Sequence, residues 1–426
     1  MSSQAVALPG RRQALAGRFR ASLPGRHPAL MRMLLAGFIS SSGDRLHQVA
    51  LAALILGMTN SMASAGLVFV VSTLPYVMFG LLVGALVDRW DRRTTMVLAD
   101  LVRGVLVVLI PVAATISLPL VYPLLFALTC ATIAFHPARQ SSVPDLVGAD
   151  ELSSANSLFQ AVNYMVDLLA FPVAGLVVAA LIERLGTYRG TQVVFAVDAL
   201  SYLCSALLLL RLPVVKRSVM LAREPLRRLP NQVADGLRFL RDHSAVRTNT
   251  ILMTIGPLML GSLHTLWIGF AWRVSNTGTF GYGVTEMANA IGTLLGLLVL
   301  RTLSRRVNPG RAILIGFALM GAAIATAGLT DSLAVVALLA ALAGMGNVTF
   351  LVPSITLVQR HTPAELRGRV FAVRLMLTFG AFSISNAVAG GLSDVVGVSP
   401  LLLVLGSGML LLAAGGALFH SAREAR

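Results

Sequence analysis

The chain is poor in charge and in cysteine. Charged residues make up 12% of its 426 residues, and only two residues are cysteines, Cys130 and Cys204. Both cysteines fall inside long apolar runs, which argues against a disulfide framework and against a cysteine metal site. The sequence also lacks a phosphate-binding loop of the G-x-x-x-x-G-K-[ST] type and any polar region large enough for a nucleotide-binding domain. We therefore expect no metal, no cofactor and no direct use of ATP.

Apolar sequence dominates instead. Hydrophobic residues reach 56% and the mean hydropathy is +0.80, far from the balance of a soluble domain. Apolar stretches of about 20 residues, long enough to cross a bilayer as a helix, recur from end to end. No alternating pattern indicates a β-barrel, and a helix satisfies its own backbone hydrogen bonds in lipid. The sequence thus predicts an all-α integral membrane protein with twelve transmembrane helices. The predicted spans are 30–57, 62–87, 95–116, 120–137, 158–182, 193–210, 250–272, 284–303, 311–329, 333–352, 371–392 and 400–419.

Basic residues fall mainly on one side of these spans. The tail 1–29, the link after the second span and the segment 211–249 are rich in arginine, whereas the other side carries only Arg184, Arg189 and Arg273. The positive-inside rule then predicts that both termini are cytoplasmic. Helical spans indicate the inner (cytoplasmic) membrane of a bacterium. There the net charge of +16 faces anionic membrane lipid, and we expect no nucleic-acid partner.

The chain also shows signs of an internal duplication. The pair Arg92-Arg93 is echoed by Arg305-Arg306, about half the chain length further on. Two six-helix halves related by pseudo-symmetry are therefore expected, with a central site between them. Between the halves, residues 233–239 are amphipathic enough for a short helix along the membrane surface; the alternative is a plain basic tether. The predicted division is an N-terminal tail at 1–29, a first half at 30–210, a linker at 211–249, a second half at 250–419 and a C-terminal tail at 420–426.

A charged segment follows the second predicted span. Residues 84–93 read G-A-L-V-D-R-W-D-R-R, and they resemble the signature G-x-x-x-D-R-x-G-R-R of the loop between helices two and three in the major facilitator superfamily. Only the inner glycine differs, since an aspartate stands there. The residues of this gating motif are Gly84, Asp88, Arg89, Asp91, Arg92 and Arg93.

Further blocks of sequence narrow the resemblance. Residues 40–47, 87–93, 137–157 and 195–202 are similar in order and spacing to the macrolide-efflux and enterobactin-exporter-like branch, also called the transmembrane secretion effector family. The resemblance covers nearly the whole chain. It implies the major facilitator fold and a transporter that works by alternating access. No nucleophile, base and orienting group converge on one face, so an enzyme is not expected.

The motif suggests a gate between the halves. Asp88, near the cytoplasmic end of helix two, is expected to face the N-terminus of helix eleven, where the helix dipole holds a carboxylate. Arg89, Arg92 and Arg93 either pair with carboxylates on neighbouring helix ends or only satisfy the positive-inside rule.

Ionisable residues inside the spans are candidates for proton coupling, because a charge at the bilayer centre is costly and rarely kept without a use. The candidates are Asp44 first, then Asp167 and Glu286, and last Asp198. Asp44 either pairs with the adjacent Arg45 or finds a partner on another helix. Asp198 is expected to be structural, in contact with Arg184, Arg189 or a neighbouring helix end.

Helix five departs from the pattern associated with antiporters. The pattern G-x-x-x-G-P-x-x-G-G appears as Asp167-x-x-x-Phe171-Pro172-x-x-Gly175-Leu176. Pro172 and Gly175 still allow a bent helix that packs closely against a neighbour. Asp167 and Phe171 stand where the pattern has glycine.

The resemblance implies a substrate cavity lined by helices one, four, seven and ten, with parts of two, five, eight and eleven. Aromatic, methionine and amide side chains suit a large amphipathic ligand. The candidate lining residues are Gln48, Phe69, Phe135, Asn163, Met253, Trp267, Asn289, Met345, Asn347 and Phe350.

The leading functional prediction is a multidrug-efflux antiporter, a monomer in the simplest case. It would export a hydrophobic or amphipathic small molecule, a drug or secondary metabolite, in exchange for protons. The alternatives are a dedicated siderophore exporter, a lysolipid flippase and, from a different class, a non-transporting membrane receptor on the same scaffold. An intact Asp88 and the buried acids argue against the receptor.

Overall fold

The computed structural model of the chain describes residues 23–87, 90–148, 151–213, 229–303 and 307–424. Every regular element in these ranges is helical, which confirms the all-α prediction. The gating-motif residues Asp88 and Arg89, and the pair Arg305-Arg306, lie outside the described residues.

The first six long helices extend from residue 28 to residue 209. One continuous helical run, Leu152–Leu209, is interrupted at Gly186, whose φ of 78° and ψ of 161° are not helical and favour glycine. The limbs on either side are α5 (152–185) and α6 (187–209). The other helices are α1 (Pro28–Thr59), α2 (Met62–Val87), α3 (Arg92–Ile116) and α4 (Val121–Leu146), with a short helix at Leu23–Arg26 and a 3₁₀ turn at Leu118–Leu120.

The later helices begin with an amphipathic one and continue with long apolar ones. They are α7 (Leu229–Asp242), α8 (Ser244–Leu260), α9 (Leu263–Gly269) with a π-helical turn at Phe270–Val274, α10 (Gly278–Leu303), α11 (Pro309–Ala327), α12 (Leu333–His361), α13 (Ala364–Val395) and α14 (Val398–Glu424).

The number of membrane helices agrees with the sequence-based prediction. Ten described segments are long and apolar enough to cross a membrane. One of them, Ser154–Leu209, contains both α5 and α6, and another, Ser244–Val274, combines α8 with α9. α1 is long enough but has Asp44, Arg45 and His47 at its centre, and it is not among the ten. Adding α1 and separating α5 from α6 gives the twelve predicted helices.

The helices form two groups, α1–α6 and α8–α14. The end of the bundle at which α1 begins carries most of the arginines and is called the basic end below; the end with the α1–α2 turn is called the opposite end. The two groups meet mainly along two antiparallel helix pairs, α2 with α13 and α5 with α10.

Glycines make both of these crossings close. A Cβ added to Gly175 of α5 would lie 2.8 Å from the Thr279 carbonyl oxygen and 3.3 Å from the Gly283 Cα of α10. A Cβ added to Gly66 of α2 would lie 3.0 Å from the Gly390 Cα of α13. Small residues of this kind let helix backbones approach each other in lipid. Each crossing therefore depends on a pair of glycines.

The predicted linker contains α7, which packs on other helices. Its apolar residues Phe239 and Leu240 are buried against α8 and α13. A Cβ on Gly236 would lie 2.8 Å from the Arg369 carbonyl oxygen, and the Arg369 guanidinium donates to Asp235 at 2.6 Å. The expected helix is present, but α13 and α8 cover its apolar face, where the sequence suggested a membrane surface.

We expect Gly175→Val to lower thermal stability, because the new side chain overlaps the backbone of α10. Overpacking of a tight contact typically costs about 1–3 kcal/mol. Gly391→Val is the matched control, since a Cβ there meets nothing within 4 Å. Thermal melting of the purified protein in detergent measures both variants. Equal melting temperatures for the two would contradict a close crossing at Gly175.

Candidate functional site

A cavity of about 730 Å³ lies between the two groups of helices, near the middle of the bundle. Its walls come from α1, α2, α4 and α5 on one side and from α9, α10 and α13 on the other, with single residues from α6 and α12. The aromatic residues in the wall are Phe69, Tyr76, Tyr164, Phe171, Tyr202, Tyr282, Phe379 and Phe382. The cavity thus combines aromatic surface with a small number of charged side chains.

The structure places half of the predicted lining residues in the cavity wall. These are Gln48, Phe69, Asn163, Asn289 and Asn347. All but Phe69 carry an amide, and a polar amide on an otherwise apolar helix is most stable where it faces polar surroundings. Polarity was therefore a useful signal for the facing side of these helices.

The other five predicted lining residues pack between helices instead. Phe135 lies under the Arg103 guanidinium with 4.4 Å between the guanidinium carbon and the ring centroid. Phe350 packs on Phe317 with ring centroids 4.6 Å apart. Trp267 and Met253 are buried in the main hydrophobic core, and Met345 contacts Gly296 on the neighbouring helix. Large apolar side chains fill helix interfaces as readily as cavities, so their identity alone did not indicate the facing side.

Two acids and a histidine come together where α1 meets α6. His47 Nδ1 lies 2.6 Å from Asp198 Oδ2, and Asp198 is fully buried. The Tyr202 hydroxyl donates a short hydrogen bond to Asp44. Gly43 permits this arrangement, because a Cβ there would collide with Asp198 Oδ1. Asp198 therefore lies in the middle of α6, and its partner is His47 in place of the arginines expected near the opposite end.

Two of the three titratable groups of this cluster reach the cavity. The donor atoms of Asp44, His47 and Asp198 lie within 4.8 Å of one another, a spacing that a metal ion could also use. In the structure, hydrogen bonds to Tyr202 and within the cluster already involve these groups. Asp44 and His47 line the cavity, with Asp198 behind them. Carboxylates and imidazole in a water-poor site are the groups that carry protons in membrane proteins.

Arg45 points to a different acid from its neighbour Asp44. Its Nε lies 2.8 Å from Asp167 Oδ1, and its Nη1 donates to Gln48 at 3.1 Å. Its guanidinium carbon lies 5.1 Å from the centroid of the Phe171 ring. Adjacent helix residues point about 100° apart, which is why Arg45 and Asp44 have separate partners. Asp167 and Phe171, two of the three positions of helix five that depart from the glycine pattern, thus both contact Arg45.

A second titratable pair lies in the other wall of the cavity. His264 Nδ1 of α9 lies 2.8 Å from Glu286 Oε1 of α10. Glu286 is only 5% exposed, whereas the His264 side chain is 41% exposed and stacks on Phe69 with ring centroids 5.8 Å apart. The histidine ring therefore separates the buried acid from part of the cavity.

A buried ion pair in α3 had not been anticipated from the sequence. Arg103 pairs with Asp100, and both side chains are at most 2% exposed. The Arg103 guanidinium also lies over the rings of Phe135 and Tyr202, at 4.4 Å and 4.5 Å from the centroids. An acid and an arginine three residues apart within a predicted span were a usable signal, because such residues share one helix face.

The described residues of the gating motif have separate structural roles. Asp91, which replaces the inner glycine, is the N-cap of α3, and its carboxylate accepts from the Thr94 N–H at 2.7 Å. Arg92 pairs with Asp145 at the end of α4. Gly84 lies in the last turn of α2, and Arg93 is half-buried at the start of α3. Of the two readings of the arginines, pairing with a carboxylate is therefore the one seen for Arg92.

Comparison with known proteins supports the sequence resemblance. The family model described as "Major Facilitator Superfamily" matches residues 33–385. The multidrug efflux pump Tap of Mycolicibacterium fortuitum is 27% identical, over 90% of this chain and 93% of its own. Macrolide efflux protein A of Streptococcus pyogenes is 24% identical, over 83% of this chain and 87% of its own.

Solved structures share the fold at lower identity. The nucleoside transporter NupG superposes with a TM-score of 0.74 at 13% identity, covering 91% of this chain and 98% of its own. A bacterial homologue of the iron transporter ferroportin, in an inward-facing state, gives 0.71 at 17% identity, covering 93% and 99%. At such identities the likeness concerns the fold alone.

We expect Arg103→Met to destabilise the protein strongly, because Asp100 would remain buried without its counter-charge. Breaking a buried pair in this way costs about 3–5 kcal/mol. The double variant Asp100→Leu/Arg103→Met removes both charges and should recover most of the loss. Thermal melting in detergent compares the three proteins. A single variant as stable as the parent chain would contradict the pairing.

Proposed function

The chain belongs to the major facilitator superfamily, and from that premise we propose that it exports hydrophobic or amphipathic small molecules from the cytoplasm by alternating access, in exchange for protons. It is a multi-pass membrane transporter and not an enzyme. The basic end would be cytoplasmic, because most of the protein's arginines lie at that end and the positive-inside rule places them in the cytoplasm.

The observation that carries the proposal is the cavity between the two helix groups. Its volume of about 730 Å³ falls in the range of small-molecule sites, and such sites combine apolar walls with a few polar groups. Rocking of one helix group against the other would expose the cavity to each side in turn. The efflux proteins similar to this chain are consistent with an exporter.

The proposed proton site is Asp44 beside His47, with Asp198 behind them. Asp44 faces the cavity, so a proton can reach it from whichever side is open. Protonation removes its charge, which makes its transfer through an occluded state less costly. The Tyr202 hydroxyl fixes the position of the Asp44 side chain by donating a hydrogen bond to it.

The proposed substrate contacts are the aromatic wall and Glu286. Glu286 lies in the wall beside Tyr282, and the His264 ring that contacts it is accessible from the cavity. A cation in an aromatic cavity gains from the ring faces and from the carboxylate. This arrangement favours lipophilic cations over neutral compounds of the same size.

We expect Asp44→Asn to abolish proton-driven export. Cells that express the chain should accumulate less of some lipophilic cationic dyes and macrolides than control cells. An uncoupler should remove this difference, and Asp44→Asn should remove it without an uncoupler. Asp331→Asn, which changes an exposed acid in the loop before α12, is the matched control and should export normally.

Two results would contradict this proposal. Export by Asp44→Asn that an uncoupler still stops would exclude Asp44 as the proton site. Unchanged accumulation of every compound, with the protein present in the membrane, would contradict broad drug export and favour a dedicated siderophore or lipid substrate.

We expect Glu286→Gln to weaken transport of cations selectively. Loss of a charge-assisted contact should raise the KM for cationic dyes by about tenfold. The KM for a neutral substrate should change much less, because the amide keeps the size and the hydrogen-bonding groups. Uptake into inverted vesicles at several concentrations gives both values. An equal change for charged and neutral compounds would contradict recognition by charge.

A further inference from the structure

At the opposite end, a carboxylate from the second helix group binds the start of a helix in the first. Asp394, in the last turn of α13, accepts from the Met62 N–H and the Ala63 N–H of α2, each at 2.9 Å. The Ser61 hydroxyl donates to the same carboxylate at 2.8 Å. The first N–H groups of a helix have no partner within it and carry its positive dipole end. Asp394 therefore caps α2 across the interface.

Arg273 extends this contact to the turn before α2. Its Nη2 lies 2.7 Å from Asp394 Oδ1 and donates to the Asn60 carbonyl at 2.7 Å. Asn60 has a φ of 49°, in the left-handed region, and ends α1 there. Arg273 lies in the π-helical turn after α9. Two separate elements of the second group thus bind the α1–α2 turn of the first.

Gly390 brings Asp394 within reach of α2. It lies one turn before Asp394, and a Cβ there would be 2.7 Å from the Met62 carbonyl oxygen. Deeper in the bundle, the same two helices touch through neutral groups, with the rings of Tyr76 and Phe379 stacked at 4.5 Å. Among the described residues of the α2–α13 pair, the charged contact therefore lies at one end.

The sequence around Asp394 repeats the spacing of the gating motif. Gly390-x-x-x-Asp394 at the end of α13 matches Gly84-x-x-x-Asp88 at the end of α2. Because the two helices are antiparallel, the C-terminal end of α2 and the C-terminal end of α13 lie at opposite ends of the bundle. The argument for Asp394 stands on its own contacts, since Asp88 lies outside the described residues.

We propose that Asp394, Arg273 and Gly390 are positioning residues that hold the cavity closed at the opposite end, and that their contact with α2 opens when the cavity faces that end. The proposal rests on the alternating-access function above. Asp394 and Arg273 are 27% and 30% exposed, so water can replace their partners when the contact opens. A fully buried pair would resist opening, because separated charges would then lack any partner. The partly exposed contact is therefore suited to repeated opening.

Spin-label distances across both ends of the full chain test this proposal. The two native cysteines are first removed by Cys130→Ser and Cys204→Ser, so that only introduced cysteines carry a label, and distances are measured on the protein in nanodiscs. At the opposite end they replace the exposed residues Ser117 and Ser332 through Ser117→Cys and Ser332→Cys. At the basic end, Ser154→Cys and Gln359→Cys serve in the same way.

Asp394→Ala should raise the ratio of open to closed molecules at the opposite end by about tenfold. The distance at the basic end should shorten in the same molecules, which a purely structural defect would not cause. Asp394→Asn should have a smaller effect, since asparagine still caps a helix but cannot pair with Arg273. Gly390→Leu should open the same end while leaving Asp394 unchanged. Asp331→Ala is the control for loss of an exposed acid at this end.

The outcomes separate this proposal from the one on export. Unchanged distances in both Asp394→Ala and Gly390→Leu would overturn the closing contact. If both variants shift the distances as expected but the parent chain exports no compound, the contact stands and drug export fails. If Asp394→Ala does not fold, the spin-label distances in Asp394→Asn and Gly390→Leu decide between a closing contact and none.

Discussion

A charge inside a bilayer is costly unless it has a partner, and the described midplane ion pairs of this bundle each form within one helix group. Among the described residues, Arg45 pairs with Asp167, His47 with Asp198 and Arg103 with Asp100, all within the first helix group. His264 pairs with Glu286 within the second group. These contacts stay intact when the groups move as rigid bodies. Within the part of the chain that the structure describes, relative motion then separates no buried pair of opposite charges, a step that would cost several kcal/mol.

The contacts between the groups are of another kind. Where the structure describes them inside the bundle, they include glycine backbones, hydroxyl groups and stacked rings, such as Gly175 against Gly283, Thr73 with Ser383 and Tyr76 on Phe379. Surfaces like these can slide or part without leaving an ion unpartnered. The charged contact of Asp394 lies at the end of the interface, where water can replace it. The molecule thus divides its interactions between permanent pairs inside each group and exchangeable contacts between them.

The fold was predictable because apolar length is a strong signal, whereas the site was predictable only in part. Amides such as Asn163 and Asn289 lie in the cavity wall, since polarity indicates which side of a helix faces it. Trp267 and Phe350 pack between helices and do not line the cavity. The sequence could not show this, because a helix that is apolar all round carries no signal for which side faces the cavity. The partners of the acids depend on which helices are neighbours. His47 and Asp198 are far apart in the chain, and only the packing of α1 against α6 shows that they are partners.

The departures of helix five from the glycine pattern can be explained by the same geometry. Gly175 is the glycine of the pattern that this chain keeps, and a Cβ there would overlap the backbone of α10. Asp167, Phe171 and Leu176 occupy the other three glycine positions of the pattern. The side chains of Asp167 and Phe171 line the cavity, whereas Leu176 is exposed on the outside of the bundle. The side chains of Asp167 and Phe171 lie beside the crossing and contact Arg45, and the Phe171 ring also packs edge-on against the Tyr282 ring of α10 with centroids 6.3 Å apart. The substitutions therefore add a charge and an aromatic surface to the cavity wall while the close crossing at Gly175 is preserved.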